Sequence, residues 1–294
     1  MQLEFETCDV FTEARFGGNP LAVVHGGEGL DGAAMQRVAR EFNLSETVFV
    51  LPAEAAGAVA RIRIFTPGAE IPFAGHPNVG TAVMLARRFG VTGDSLALDQ
   101  AAGRVVARLS RDAAGLVVTA EIEAPLPFAT TAHPAAEAVA ECLGLPASAV
   151  LTTTHAPVIG GCGNSMAFAE LADLSALAAA TPDIAGFRRH LPASACVGIH
   201  LHVALPDGRR RARMFGPLVG VPEDPATGSA NVGLAGLLLH ASGGERLAFE
   251  VEQGIEMGRP SRLALRAWRD GSGAIRAAVG GGVVAVSEGR ITVT

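Results

Sequence analysis

Residues Arg63-Ile64-Phe65-Thr66-Pro67 recur about 150 residues later as Arg213-Met214-Phe215-Gly216-Pro217. Three further pairs recur in the same order and at similar spacing: Gly18-Asn19-Pro20-Leu21-Ala22 with Gly163-Asn164-Ser165-Met166-Ala167, His76-Pro77-Asn78-Val79-Gly80-Thr81-Ala82 with Asp224-Pro225-Ala226-Thr227-Gly228-Ser229-Ala230, and Asp99-Gln100 with Glu252-Gln253. Four echoes in register indicate two copies of one fold. They predict a first domain over residues 1–129 and a second over 130–294, and leave open whether the C-terminal segment crosses back into the first.

Each copy is predicted to contain a strand followed by a long helix. Residues 60–65 alternate between apolar and polar side chains, which is typical of a half-buried strand. Residues 79–89 are small and apolar, so we expect a buried helix that ends at Gly90. The second copy repeats this order, with a strand over 211–215 and a helix over 228–240. The predicted class is α+β, with each half a mostly antiparallel sheet around a central helix.

Composition limits the classes of function. The chain has 294 residues and a net charge of −6, and its one short basic run is Arg209-Arg210-Arg211. Nucleic-acid binding is therefore not expected, because it normally needs a broad basic patch. No apolar run approaches the roughly 18 residues of a membrane span, and the N-terminus alternates like a strand rather than a signal peptide. The four cysteines form no CxxC pair, so we expect buried reduced thiols and a cytoplasmic protein.

Two predicted helix starts could hold an anion. Gly80-Thr81-Ala82 and Gly228-Ser229-Ala230 follow small-residue loops, and free backbone N–H groups with the positive end of a helix dipole attract carboxylates. If the two halves face each other, both helix starts can point into one cleft that takes a small anionic substrate. The alternative is that Thr81 and Ser229 only cap their helices. Each loop also carries an ionisable residue just before its predicted helix, His76 or Asp224.

Glu46 is a candidate acid or base. It lies in Asn43-Leu44-Ser45-Glu46-Thr47-Val48, where a predicted helix gives way to a strand-like run. A carboxylate beside an apolar run can act in proton transfer near neutral pH, although a surface glutamate at a strand start has the same local sequence. Metal binding is not supported, because His200 and His202 are the only close histidine pair and have no third ligand. No glycine-rich nucleotide motif follows a strand.

These segments together resemble the PhzF-like family, named for phenazine biosynthesis protein F, within the diaminopimelate epimerase superfamily. The resemblance covers nearly the whole chain. Its most specific string is Glu223-Asp224-Pro225-Ala226-Thr227-Gly228-Ser229-Ala230. The other matching segments are Asp9-Val10-Phe11-Thr12, Gly17-Gly18-Asn19-Pro20-Leu21-Ala22-Val23, Asn43-Leu44-Ser45-Glu46-Thr47, residues 63–67, residues 70–81, residues 213–217, Gln253-Gly254 and Gly258-Arg259-Pro260-Ser261.

The resemblance implies two domains, each a barrel-like sheet around a central helix, with the active site between them and no cofactor. In the phenazine enzyme a glutamate moves a proton between carbons of a cyclic dienol acid, and the matching residue here is Glu46. His76 and Asp224 match supporting polar residues. Four further residues match positions that line the pocket or hold the substrate carboxylate, namely Ser45, Gly75, Gly228 and Ser229. A homodimer is also implied.

One departure from the wider superfamily is informative. Racemases and epimerases of this fold use two cysteines, one in each half. Ala74 precedes the Gly75-His76 pair, and residues 223–230 contain no cysteine. A two-thiol racemase is therefore excluded, because no thiolate flanks a substrate carbon. A non-catalytic protein that binds small acids, and a racemase that uses carboxylate bases, stay open as alternatives.

Overall fold

The computed structural model describes residues 1–293. The chain forms two compact units: a first unit of Met1–Glu123 together with the C-terminal residues from Gly280, and a second unit of Ala124–Val279. The boundary that the sequence analysis places at residue 129 falls at the first residue of a strand, Ala129–Ala132, inside the second unit. Within the described residues no helix is long and apolar enough to cross a membrane.

The first unit is a closed barrel of eight strands. Its helices and strands are β1 (Gln2–Val10), β2 (Asn19–His25), α1 (Gly32–Phe42), β3 (Glu46–Leu51), β4 (Ala60–Phe65), β5 (Glu70–Ile71), α2 (Gly75–Arg88), β6 (Ser95–Gln100), β7 (Gly103–Arg111) and β8 (Val117–Glu123). The strands pair in the order β1, β2, β3, β4, β6, β7 and β8. The last strand of the chain, described below, pairs with both β1 and β8 and closes the barrel. Two of these pairings, β2 with β3 and β4 with β6, are parallel.

Helix α2 is the central helix of the first unit, and every residue from Gly75 to Ala86 is buried. The prediction that this helix begins at Val79 is wrong, because α2 begins at Gly75. The His76-Pro77 pair has the sequence of a loop, but Pro77 lies in the first turn, where a helix needs no backbone N–H donor. Gly80 and Thr81 therefore lie inside the helix, and the anion-binding start predicted there is also wrong. His76 lies in the helix and not before it.

The second unit repeats this architecture. Its helices and strands are β9 (Ala129–Ala132), α3 (Ala136–Cys142), β10 (Val150–Leu151), β11 (Val158–Gly161), β12 (Met166–Leu171), α4 (Leu174–Ala179), α5 (Ile184–His190), β13 (Ile199–Ala204), β14 (Arg210–Gly216), β15 (Val221–Asp224), α6 (Gly228–Ser242), β16 (Arg246–Gln253), β17 (Ser261–Arg269) and β18 (Ile275–Thr292). The pairing order is β9, β11, β12, β13, β14, β16 and β17. The backbone N–H groups of Ala124 and Phe128 donate to the Ala277 and Ile275 carbonyls of β18, at 2.9 and 2.8 Å.

The two units share their strand order, including parallel pairs at equivalent places: β12 with β13, and β14 with β16. This confirms the predicted fold class of two similar halves. Equivalent positions follow from the central helices, since α2 begins at Gly75 and α6 at Gly228. The structural counterpart of His76 is therefore Ser229. His76 and Asp224, which the repeated sequences aligned with each other, do not occupy equivalent positions.

A glycine on α6 permits close packing in the second unit. A Cβ added at Gly236 would lie 2.6 Å from Cβ of Phe128, an atom that cannot rotate away. Replacing glycine with alanine inside a helix normally stabilises the helix by about 1 kcal/mol. A loss of stability in Gly236→Ala would therefore indicate the clash with Phe128. We expect Gly236→Ala to destabilise the protein by about 1–3 kcal/mol, measured by urea unfolding. Gly271→Ala, where no atom lies within 4 Å, is the control and leaves stability unchanged. An unchanged Gly236→Ala midpoint would contradict this packing.

Candidate active site

Glu46 is the first residue of β3 and faces Leu21 of the neighbouring parallel strand. Its side chain is 16% exposed, and the preceding Ser45 is half-buried. The β3 strand therefore brings a carboxyl group to the end of the barrel where α2 begins. The sequence could place Glu46 at a strand start but could not show which way its side chain points.

The second unit has no carboxylate at the equivalent position. Phe49 pairs with Arg63 across β3 and β4, and Leu201 pairs with Arg213 across β13 and β14, so Gly198 is the counterpart of Glu46. A Cβ at Gly198 would lie 2.2 Å from the Phe215 carbonyl oxygen, which leaves no room for a side chain. The duplicated fold therefore carries this carboxyl group once.

His76 is the partner that the structure brings to Glu46. It is the second residue of α2 and is 5% exposed, and its Nε2 lies 3.3 Å from Oε2 of Glu46. The Pro20 carbonyl accepts a hydrogen bond from the imidazole ring. Since Nε2 makes no hydrogen bond to any described residue, the donor is Nδ1. Burial lowers the pKa of His76 to about 3, so the ring is neutral.

This arrangement suits a carboxyl group that gains and loses a proton. With the ring proton on Nδ1, Nε2 carries a lone pair, and Nε2 lies 3.3 Å from Oε2 of Glu46 without a hydrogen bond between the two atoms. A protonated Glu46 can donate to this lone pair, and an ionised Glu46 can take a proton from a bound molecule. The neutral imidazole supplies orientation and a polar contact without a competing positive charge.

The starts of the two central helices carry no side-chain caps. Asp31, Asp173 and Asp183 cap α1, α4 and α5, but neither Ala74 before α2 nor Thr227 before α6 makes a side-chain capping bond. Ser229 lies one residue inside α6 and is half-buried, and Gly228 is buried. Ser229 is therefore not the residue that precedes and caps α6. The start of α6 has no side-chain capping bond from Thr227, as expected of an anion site. Gly75 is likewise the buried first residue of α2.

Asp224 ends β15 in the second unit, and the hydroxyl of Thr227 donates a hydrogen bond to its Oδ2. Two buried Asn–Gln pairs, which the sequence analysis missed, anchor the helix starts. In the first unit Asn78 and Gln100 exchange hydrogen bonds, and in the second Asn231 donates to Gln253 at 2.9 Å. The signal was present in the echo of Asp99-Gln100 by Glu252-Gln253, but the partner asparagines were not identified.

The structure also places the cysteines and the histidine pair of the sequence analysis. All four cysteines are free and buried, and burial raises the pKa of the Cys142 and Cys162 thiols to about 12. They are therefore inert structural thiols, as expected. Between Met1 and Val293 no group of three or more His, Cys, Asp or Glu residues is placed to hold a metal ion. His200 and His202 lie on one strand, β13, and both are buried.

Buried neutral histidines make stability depend on pH. Burial lowers the pKa of His76 and of His200 from the usual 6.5 to about 3. The unfolded chain takes up protons at these residues below pH 6.5 and the folded protein does not, so stability is full above that pH and falls as the pH decreases. From pH 8 to 5 we expect a loss of about 2 kcal/mol for each such histidine. Urea unfolding at both pH values measures it.

The comparison variant is His200→Gln, which should lose less stability over this pH range than the wild type. His133→Gln, at an exposed histidine, is the matched control and should follow the wild type. Equal losses in the wild type and His200→Gln would contradict the assignment of a buried neutral ring at residue 200.

Comparisons with known proteins agree with one family. The family model described as phenazine biosynthesis-like protein, PhzC-PhzF, matches residues 8–289. An uncharacterized isomerase of Mesorhizobium japonicum is 38% identical over 96% of each chain. The trans-2,3-dihydro-3-hydroxyanthranilate isomerase of Pseudomonas aeruginosa is 37% identical over 97% of this chain and 98% of its own. The crystal structure of a PhzF-family phenazine biosynthesis protein of Bacillus anthracis superimposes with a TM-score of 0.87, 25% identity and full coverage of both chains.

Proposed function

The chain belongs to the PhzC-PhzF family of phenazine biosynthesis-like proteins and is an isomerase, and we propose that it moves a proton within a small carboxylic acid without a cofactor. Glu46 is the proposed proton carrier. The reaction of the Pseudomonas relative, named for trans-2,3-dihydro-3-hydroxyanthranilate, supplies the substrate class: a small unsaturated acid with an acidic C–H bond.

The contact between Glu46 and His76 is the observation that supports this proposal most strongly. A carboxyl oxygen and an imidazole nitrogen lie 3.3 Å apart, the histidine is neutral, and both side chains are mostly buried. General acid–base catalysis needs a carboxyl group that is held in place and can exist in both protonation states. A surface glutamate with a structural role only would not be expected to lie 3.3 Å from a buried, neutral imidazole.

The proposed steps move one proton. The ionised Glu46 carboxylate takes a proton from one carbon, and the electron pair left behind spreads into the conjugated acid. The carboxyl proton of Glu46 exchanges with solvent, and Glu46 then delivers a proton to a different carbon on the same face, which gives a suprafacial 1,3- or 1,5-shift with no net gain or loss of atoms. His76 and Asp224 are the proposed hydrogen-bonding groups for the oxygen or nitrogen where charge develops. The uncapped start of α6, at Gly228 and Ser229, is the proposed site for the substrate carboxylate, and Ser45 and Gly75 are the proposed lining.

The single carboxyl group also bears on the racemase alternative. A two-base racemase would use an acid and a base on opposite sides of one carbon. Gly198 replaces the glutamate in the second unit and has no room for a side chain, so the position offers one base and not two. This disfavours a racemase whose two bases occupy equivalent positions in the two units.

The test uses trans-2,3-dihydro-3-hydroxyanthranilate with the purified full-length protein in D₂O. We expect conversion with incorporation of solvent deuterium, followed by absorbance and mass spectrometry. Binding of the acid with no isomerisation and no deuterium would support a non-catalytic binding protein instead. Loss of optical rotation from a chiral amino acid without a double-bond shift would support a racemase. The homodimer stays a prediction, which multi-angle light scattering would test.

A further inference from the structure

A chain of hydrogen bonds leads from two buried amide side chains to the Asp224 carboxylate in the second unit. We call it the Asp224 network; its members are Asp224, Thr227, Asn231 and Gln253. Gln253 and Asn231 are fully buried. The Gln253 amide donates to the Asp224 backbone carbonyl at 2.8 Å and to the Thr227 hydroxyl oxygen at 3.0 Å. Its carbonyl oxygen accepts from Asn231 Nδ2 at 2.9 Å and from the Thr227 backbone N–H at 3.2 Å.

Backbone groups fix the orientation of the Gln253 amide. The Asp224 carbonyl can only accept a hydrogen bond, so the group facing it must be the NH₂ of Gln253. The Thr227 backbone N–H can only donate, so the group facing it must be the Gln253 oxygen. If the amide were flipped, its NH₂ would face the N–H donors of Thr227 and Asn231, and its oxygen would face the Asp224 carbonyl oxygen.

This orientation commits the Thr227 hydroxyl to one role. The hydroxyl oxygen already accepts a hydrogen bond from the Gln253 NH₂, so its single proton is available for one acceptor, and that acceptor is Oδ2 of Asp224. Thr227 makes no capping bond to α6, so its side chain has no alternative structural task at the helix start. The network therefore delivers a directed hydrogen bond to the carboxylate.

The first unit carries the same Asn–Gln pair without this function. Asn78 and Gln100 exchange hydrogen bonds at 3.2 and 3.1 Å, and Asn78 also donates to the Ala74 carbonyl. Ala74 occupies the position of Thr227, since each precedes the first residue of its central helix. Because Ala74 has no hydroxyl group, the Gln100 NH₂ donates to the Asn78 side-chain oxygen instead. Both units thus contain the Asn–Gln pair, and in the second unit alone it is connected through Thr227 to a carboxylate, Asp224.

We infer that Thr227 and Gln253 are positioning residues that hold the Asp224 carboxylate in a single orientation for the substrate. This inference rests on the proposed function, because it assigns Asp224 a direct contact with the reacting molecule. Gln253 orients the Thr227 hydroxyl, and the hydroxyl holds Oδ2 of Asp224. Neither Thr227 nor Gln253 needs to touch the substrate.

A double-mutant cycle with Thr227→Val and Asp224→Ala tests the inference. Valine keeps the branched shape and removes the hydroxyl, and no capping bond is lost. In the wild-type background we expect kcat to fall about tenfold with KM within threefold, because a hydrogen bond to a charged group is lost. Thr227→Ser, which keeps the hydroxyl, should stay within threefold of the wild type. In the Asp224→Ala background Thr227→Val should change kcat less than twofold.

Rates are measured as deuterium incorporation into trans-2,3-dihydro-3-hydroxyanthranilate with stoichiometric protein over hours, so that slow variants remain measurable. Thermal melting reports whether each variant folds, and Thr227→Ala replaces Thr227→Val in the cycle if the latter does not. A Thr227→Val rate within twofold of the wild type overturns the inference, as does an equal tenfold loss in both backgrounds. An inert wild-type protein overturns the proposed function and this inference together, whereas an active wild type with an unaffected Asp224→Ala overturns the inference alone.

Discussion

Replacing Glu46 with glutamine is expected to lower the rate of proton transfer by about 10²–10⁴-fold, the usual contribution of a general acid–base residue. Glutamine has the same shape as glutamate but cannot carry a proton away from carbon. Its amide would occupy the place of the carboxyl group whose Oε2 lies 3.3 Å from His76 Nε2, so the local packing should survive. Binding of a stable analogue such as 3-hydroxyanthranilate should change less than threefold, measured by calorimetry.

The matched control for this change is Glu41→Gln. Glu41 is an exposed residue of α1 in the same unit, so the substitution alters the net charge equally and leaves the proposed site untouched. We expect its turnover to equal that of the wild type. If Glu46→Gln stays within fivefold of the wild type while the wild type exchanges deuterium, another group carries the proton and the proposed role of Glu46 is wrong.

The internal repeat was the part of the fold that the sequence predicted best, because backbone pairing and turn chemistry repeat with the residues that cause them. The strand over residues 60–65 is β4 as predicted. The start of α2 was misplaced because His76-Pro77 has the local sequence of a turn, and only the surrounding barrel shows that Pro77 lies in a first helical turn. Alternating strand patterns report burial on one face, but they do not report which residues close a barrel.

The candidate site was harder to predict, for a related reason. Glu46 and His76 lie on different elements, and their 3.3 Å contact depends on the pairing of β2 with β3 and on the depth of α2 in the barrel. The sequence around either residue cannot predict that distance, so Glu46 and His76 were assigned to one site from the family resemblance. The Asp224 network depends in the same way on Gln253 at the end of β16, beyond the reach of any short motif around Asp224.

Ser229→Asp is expected to raise KM by about 10²–10³-fold while leaving the fold intact. The new carboxylate would lie at the second residue of α6, where we propose that the substrate carboxylate binds the uncapped helix start. Two like charges about 4 Å apart near a protein surface repel by about 4 kcal/mol, which corresponds to about a thousandfold loss of affinity. An acidic residue at a helix N-terminus stabilises the helix by about 0.3–1 kcal/mol, so the melting temperature should stay the same or rise.

The opposite signs of these two effects make Ser229→Asp informative. A substitution that merely disturbed the second unit would lower both stability and affinity, whereas a competing anion lowers affinity alone. Ser175→Asp is the matched control, since Ser175 is the exposed second residue of α4 and receives the same charge at the same helical position. We expect its KM to equal that of the wild type. If Ser229→Asp binds 3-hydroxyanthranilate as tightly as Ser175→Asp does, the substrate carboxylate lies elsewhere, and the role proposed for Gly228 and Ser229 must be abandoned even if Glu46→Gln is inactive.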